Sequence, residues 1–299
     1  MERLKIGMIG LDTSHCPAFA KLLSEEENPH YVEGGRVVAA FPGGSEQFSL
    51  SRNRVAQYTT QMRDEFGVEI LDSIEAVAER CDAILLESVD GRQHLEQFKV
   101  LAKYGKPVFI DKPLTCSTEE ARQIFELSAK TNTPVFSASS LRYASGVAEL
   151  GDGEKVHGCE AFGPMAILDD FPGVFWYGIH SADVLFSKMG TGCKEVTVTR
   201  TEQADVIAGV WEDGRIGTLY GFRFPGVNSF GATVFTEKGV RQGVALGTPP
   251  WYASLLKEIL QFFRTGISPI AEEEMLEIIA FLEAANISRE TGETVTLPR

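Results

Sequence analysis

The apolar run Val108-Phe109-Ile110 ends directly in Asp111-Lys112-Pro113, and this junction restricts the fold more than any other stretch. A strand buried on both faces reads as unbroken apolar sequence, the pattern of a central strand in a parallel sheet. Pro113 cannot continue such a strand and biases Lys112 toward an extended backbone. In open α/β sheets ligands sit beyond the carboxyl ends of the strands, so Lys112 is expected at the mouth of a site. A lone lysine at a strand end is more simply a surface residue, so its neighbours must decide.

The chain on either side repeats the pattern. Apolar strands are predicted at 4–9, 36–41, 68–71, 82–88, 107–110 and 134–137, with helices at about 12–23, 51–66, 74–79 and 117–130. Ser117-Thr118-Glu119-Glu120 reads as a capping box. Strands alternating with helices predict an α/β fold, a Rossmann-type doubly wound parallel sheet over residues 1–140. Beyond 140 the pattern changes to alternating strands at about 154–162, 194–201, 205–211, 216–224 and 232–236, with a turn at Glu212-Asp213-Gly214-Arg215. With a helix at 177–189 and late helices at 251–265 and 271–290, residues 141–299 are expected to form an α+β domain with a mostly antiparallel open sheet. The late helices are free to pack back on the first domain.

The turn after the first strand is where a dinucleotide fold places its phosphate loop. The expected G-x-G-x-x-G would put glycines at 10, 12 and 15, but the chain has Gly10, Asp12 and His15. Two readings stay open. In one, Asp12 caps the first helix and occupies the anion site, where two unit charges about 4 Å apart would repel by roughly 4 kcal/mol. Asp12→Gly would then create dinucleotide binding. In the other, Asp12 is held away and His15, Ser14 or backbone amides compensate, and the substitution changes little. After the second strand no acid is present to hold a ribose 2′-hydroxyl, while Ser45, Arg52 and Arg54 lie near enough for a 2′-phosphate. If a nicotinamide binds, NADP is expected to be favoured over NAD, or at least not disfavoured. The fourth strand gives way to Glu87-Ser88-Val89-Asp90-Gly91-Arg92-Gln93-His94, a polar run fit to line a site, although Asp90 alone reads as a cap and His94 as a helix-surface residue.

Asp111-Lys112-Pro113 resembles the Glu-Lys-Pro signature of the Gfo/Idh/MocA family, named for glucose-fructose oxidoreductase, inositol dehydrogenase and rhizopine catabolism. Position in the helix after the fourth strand makes His94 similar to a family histidine, and Ser139-Ser140-Leu141-Arg142-Tyr143 resembles an arginine-aromatic segment leading into the second domain. Trp176-Tyr177-Gly178-Ile179-His180-Ser181-Ala182-Asp183 resembles the family's Asp-x-Gly-x-His-x-x-Asp segment, with Trp176 where the first aspartate is expected. The resemblance covers nearly the whole chain. It implies an NAD(P)-dependent oxidoreductase acting on a sugar, cyclitol or related polyol. Lys112, His180 and Asp183 would do the proton chemistry. Gly10, Asp12, Ser14, His15, Ser45, Arg52, Glu87 and Asp111 would lie at the cofactor, and Arg92, His94, Arg142, Trp176 and Tyr177 at the substrate. It also implies a homo-oligomer, dimer or tetramer, packed through the open sheet.

Imidazole titrates at about pH 6.5, which suits His180 for proton transfer, and Asp183, one helical turn on, could orient its ring. Trp176 reads either as core filler or as a face for a sugar ring. Two divergent readings keep the fold: a sugar-binding or regulatory protein with a blocked phosphate loop, and a non-redox lyase, epimerase or hydrolase.

Composition excludes several partners. A formal charge of −14 opposes adhesion to nucleic acid or anionic lipid. No apolar run reaches bilayer length and the first residues enter a strand without a signal-peptide core, so a cytoplasmic setting is expected. Cys16, Cys81, Cys116, Cys159 and Cys193 are odd in number and scattered, which argues for reduced thiols and against a disulfide frame or zinc site. Asp169-Asp170, His157 and Glu160 have no ligand spacing, and no metal is expected.

Overall fold

The computed structural model describes residues 3–298, which fall into two units. The first unit runs to Thr115, resumes over Glu119–Ala138 and takes in Tyr252–Ala271; the second holds Cys116–Thr118, Ser139–Trp251 and the chain from Glu272.

In the first unit six strands, β1 (Leu4–Ile9), β2 (Gly35–Phe41), β3 (Glu69–Ile70), β4 (Ala83–Leu86), β5 (Val108–Ile110) and β6 (Val135–Phe136), form one parallel sheet in the order β3-β2-β1-β4-β5-β6. The register is set by Ile6 opposite Val37 on one side and Ala83 on the other, and by Ile84 opposite Val108. All of β4 and β5 is buried, which explains their unbroken apolar sequence. Phe109 and Phe136 are 0% exposed and meet edge to face at 5.3 Å; burying each such ring contributes about 1.5–3 kcal/mol. Helices α1 (His15–Ser24), α2 (Ser49–Asp64), α3 (Ile74–Arg80), α4 (His94–Leu101) and α5 (Thr118–Thr131) connect the strands. The strand order reverses between β1 and β4, and the crevice at that switch is where such sheets bind ligands.

The second unit is a seven-stranded sheet built from β7 (Val156–Pro164), β8 (Cys193–Arg200), β9 (Ala204–Trp211), β10 (Ile216–Phe222), β11 (Gly231–Thr236), β12 (Gly239–Val244) and β13 (Val295–Thr296), in the order β12-β11-β7-β10-β9-β8-β13. Every pairing is antiparallel except β7 with β10. α6 (Phe175–Met189) and α8 (Glu272–Thr291) pack on this sheet, while α7 (Trp251–Thr265) belongs almost entirely to the first unit. Asp205, fully buried, is held between Arg223 and Arg289, each 2.9 Å away. A buried carboxylate is tolerable only with such partners.

The differences from the sequence reading lie at the edges. β12 was not expected, because its Gly-Val-Arg-Gln-Gly-Val sequence lacks a buried face; it forms as the return strand of a hairpin. β13 is a two-residue edge pairing with β8. β4 stops at Leu86, before the acid at 87.

Candidate active site

The carboxyl ends of β1, β4 and β5 bring together Asp12, His15, Glu87, Asp111 and Lys112, all buried. Their placement is fixed by backbone: the Glu87 amide donates to Ile9 O at 2.7 Å and the Asp111 amide to Leu86 O at 2.8 Å. His15 opens α1, its ring packed 4.7 Å from that of Tyr252. His15 Nδ1 lies 3.0 Å from Asp111 Oδ2 and 3.7 Å from Glu87 Oε2, and Lys112 Nζ lies 3.6 Å from the same Asp111 oxygen.

The charges perturb one another. Burial pushes the Glu87 carboxyl up to about 7, with the Asp111 charge adding to the effect. Burial also works against ionised Asp111, but His15 and Lys112 outweigh it and hold that carboxyl below its ordinary range. Burial favours neutral His15, yet Asp111 and Glu87 raise its pKa. Perturbed groups gathered at one strand-end crevice mark a functional site.

Asp12 does not cap α1. The cap position is Ser14, which makes no side-chain cap bond and is exposed. The Asp12 carboxylate, 0% exposed, turns inward, accepting from Ser51 Oγ at 2.6 Å and from the Val89 amide at 2.9 Å. His15 turns its Nδ1 to the two acids, so that nitrogen is not the one to compensate a phosphate. Gly10 is required by the fold itself: at φ +85° a Cβ would stand 2.4 Å from the Ser88 amide nitrogen.

Three further expectations change. Ser45 Oγ donates to Asp90 Oδ2 at 2.6 Å, so that hydroxyl is already committed. Asp90 also takes the Arg92 guanidinium through both oxygens, at 2.8 and 2.9 Å. Burial opposes ionised Asp90, but Arg92 and Ser45 hold its carboxyl below the usual range. His94 is 0% exposed; Nε2 meets Ser88 O at 2.7 Å and Nδ1 meets the carbonyls of Pro113 and Leu114, each at 3.0 Å. Its ring clamps the loop after Lys112 to the end of β4, so it is a structural histidine and not a substrate contact.

The second unit carries the other constellation. His180, on α6, places Nδ1 2.7 Å from Ser139 Oγ. The Asp183 carboxylate is engaged by other donors. It accepts from the Ser139 amide at 2.6 Å and from Arg142 Nε at 2.8 Å, while Arg142 also pairs with Glu274 at 2.5 Å. Orientation of His180 therefore passes through Ser139, and Arg142, expected at the substrate, is spent on two acids. Burial lowers the Arg142 pKa less than Asp183 and Glu274 raise it, so the guanidinium stays charged. Trp176 is 9% exposed and packs edge-on to Phe171 at 5.4 Å, the core-filler alternative. Tyr177 is exposed, stands T-shaped to His180 at 5.4 Å and stacks at 17° to Phe230, giving the histidine an aromatic surround.

Sequence reasoning missed Ser51, Ser139, Phe230 and Tyr252 as parts of these clusters. Each is distant in sequence from the residue it serves, and only Ser139 stood inside a segment already singled out.

Comparisons agree with this architecture. No curated protein sequence matches the chain. Among solved structures it is similar to GenD2 from gentamicin A biosynthesis in complex with NAD, at 15% identity and TM-score 0.79 over 100% of this chain and 97% of that one. It is similar to myo-inositol dehydrogenase from Lactobacillus casei in complex with NAD(H) and myo-inositol, at 15% identity and TM-score 0.78 over 100% and 98%. The WlbA dehydrogenase from Bordetella pertussis in complex with NADH and UDP-GlcNAcA gives 15% identity and TM-score 0.75 over 100% and 99%. At such identities the likeness is one of fold. Residues 4–139 match the model of the Gfo/Idh/MocA oxidoreductase family with an NAD-binding Rossmann fold, so this part of the chain is similar to that family.

Proposed function

We propose that the chain is an NAD(P)-dependent dehydrogenase acting on a hydroxyl-bearing carbon of a sugar, cyclitol or related polyol. The observation that carries this is the near-buried Lys112 at the carboxyl end of β5, beside the strand-order switch of a family Rossmann sheet. Relatives of the fold bound to NAD with myo-inositol, and to NADH with UDP-GlcNAcA, support the substrate class.

The residues fit a dinucleotide. The carboxylate at the second glycine position is turned inward on two donors, and the N-terminus of α1 carries an exposed Ser14 with no side-chain cap. Gly10 and the exposed Ser14 hydroxyl would lie against the diphosphate; the first helical amides add little, because those of His15 and Cys16 are bonded to Thr13 and Pro17 has none. When bound, a nicotinamide supplies the hydride chemistry. Lys112 would polarise the reacting oxygen as a point charge. His180 would take or return the proton at Nε2, which requires the tautomer with the proton on Nδ1, donated to Ser139 Oγ. That hydroxyl also accepts from the Leu141 amide at 3.2 Å, which its second lone pair allows. Asp183 holds Ser139 and so acts as a positioning residue.

The decisive experiment mixes the purified protein with NAD or NADP and a panel of inositols and aldoses and follows reduced nicotinamide. Failure to bind either dinucleotide, by fluorescence titration, would remove the reading. Ser139→Ala is expected to lower kcat about tenfold, about 1.4 kcal/mol, with KM little changed and the pH profile displaced. An unchanged pH profile would leave Ser139 a purely structural group.

Preference for NADP over NAD rests on Arg52 and Arg54, since Ser45 serves Asp90. A Kd tenfold tighter for NAD, about 1.4 kcal/mol, would count against it.

Homo-oligomerisation belongs to the same reading. The sheet of the second unit exposes Ile216, Phe235 and Val240, with Phe235 and Val240 paired across β11 and β12, and both Ile216 and Phe235 opposite Gly158. Apolar side chains so grouped mark an association surface. Phe235→Glu is expected to shift sedimentation toward monomer; a monomeric wild type at micromolar concentration would sink the claim. Among the described residues no helix is long and apolar enough to cross a membrane. The five cysteines, odd in number and scattered along the chain, support the cytoplasmic setting that goes with this reading.

A further inference from the structure

We propose that His15 Nδ1, Glu87 and Asp111 form a binding site for one divalent first-row transition metal ion, of the manganese, iron, cobalt or zinc class. Their donor atoms lie within 4.8 Å of one another, and no other trio of His, Cys, Asp or Glu side chains among the described residues does so. Metal–donor bonds of about 2.1 Å place adjacent donors about 3.0 Å apart in an octahedral site and about 3.4 Å in a tetrahedral one. The measured separations from His15 Nδ1, 3.0 Å to Asp111 and 3.7 Å to Glu87, bracket those edges.

A second, independent observation points to an occupant. Apart from the 3.0 Å ion-pair approach of His15 Nδ1 to Asp111 Oδ2, His15 Nδ1 and all four carboxylate oxygens of Glu87 and Asp111 are buried without a well-formed hydrogen bond. Leaving such groups unpaired costs about 1–3 kcal/mol each, and more when charged. A proton on His15 does not resolve this, because Nδ1 is one donor facing four oxygens. Lys112 stands 3.6 Å from the nearer Asp111 oxygen, beyond a direct hydrogen bond. A divalent ion instead satisfies the nitrogen and both carboxylates at once, and its charge matches theirs. The mixed nitrogen and oxygen donors favour a transition metal over magnesium or calcium, which take oxygen. Three protein donors leave open positions, as in sites that bind a further ligand. The cluster is preorganised, since the two acids follow adjacent strands and the histidine opens the helix after β1.

The site is tested without any dinucleotide, so its outcome is separate from the dehydrogenase reading. Full-length protein stripped with a chelator is dialysed against zinc, manganese or cobalt(II), and bound metal is counted by mass spectrometry. One equivalent per chain is expected, with a rise in Tm, and cobalt should give visible bands lacking the thiolate absorption that Cys16 or another cysteine would add. Glu87→Gln and His15→Gln should each weaken uptake at least tenfold, about 1.4 kcal/mol. If a variant does not fold, the wild-type cobalt spectrum decides. No saturable uptake up to about millimolar metal, equal uptake by folded variants, or a thiolate band would each overturn the proposal.

Discussion

Lys112→Met is expected to lower kcat by about 10²–10⁴-fold while the Kd for dinucleotide changes by no more than about threefold. Methionine keeps the length and much of the volume of the side chain but removes the ammonium. The side chain is almost buried, so no solvent cation can take its place. An interaction made only as charge develops on the reacting oxygen shows in kcat and kcat/KM together, not in ground-state binding. The same substitution also takes a cation from beside Asp111, whose carboxyl is held low partly by Lys112, so some loss of stability should accompany it. Lys112→Arg separates the two effects. It restores a positive charge near Asp111, but a planar guanidinium is not a compact ammonium and should not restore turnover. Stopped-flow measurement of hydride transfer, with Tm on the same samples, reads both. A kcat within tenfold of wild type for Lys112→Met would end the assignment.

The sequence made the Rossmann half legible because buried parallel strands leave an unmistakable mark: β4, β5 and the last four residues of β1 are buried runs without a polar side chain, closing on the site. Asp111-Lys112-Pro113 was legible for the same reason, as the polar end of such a run. β12 was not, because an edge strand with one partner can be half polar. The direction of side chains was the other blind spot. Asp12 looked like a cap or a block because the sequence shows its place in the loop but not that Ser51 and Val89, distant along the chain, offer it donors. Asp183 looked able to touch His180 from one helical turn away, yet the helix points it at Ser139 and Arg142. Spacing along a helix gives neighbours on a face; it does not say which neighbour supplies the better donor.

Asp12→Gly is expected to destabilise the protein by about 2–5 kcal/mol and to leave dinucleotide affinity within about threefold of wild type. The stability loss follows from two orphaned groups, the Ser51 hydroxyl and the Val89 amide, which lose an acceptor in a fully buried setting. Glycine adds about 0.5–1 kcal/mol of backbone entropy cost. One term works the other way: burial raises the Asp12 pKa despite both donors, so the carboxylate is not fully compensated and its removal returns part of the loss. Ser51→Ala alone should cost about 1.5–3 kcal/mol, since it removes both the donor to Asp12 and the acceptor of the Ser45 amide at 2.7 Å, and in the Asp12→Gly background only the Ser45 share, about 0.5–1.5 kcal/mol, because the Asp12 partner is already gone. Urea unfolding of the four proteins measures that coupling. The binding arm separates the two readings of the loop. Were the carboxylate facing the phosphates, its removal would relieve repulsion of roughly 4 kcal/mol and raise affinity by orders of magnitude. Turned inward as it is, it has no such repulsion to relieve, and calorimetric titration with NAD and NADP should return nearly the wild-type Kd. A gain of tenfold or more would mean that the inward orientation is wrong.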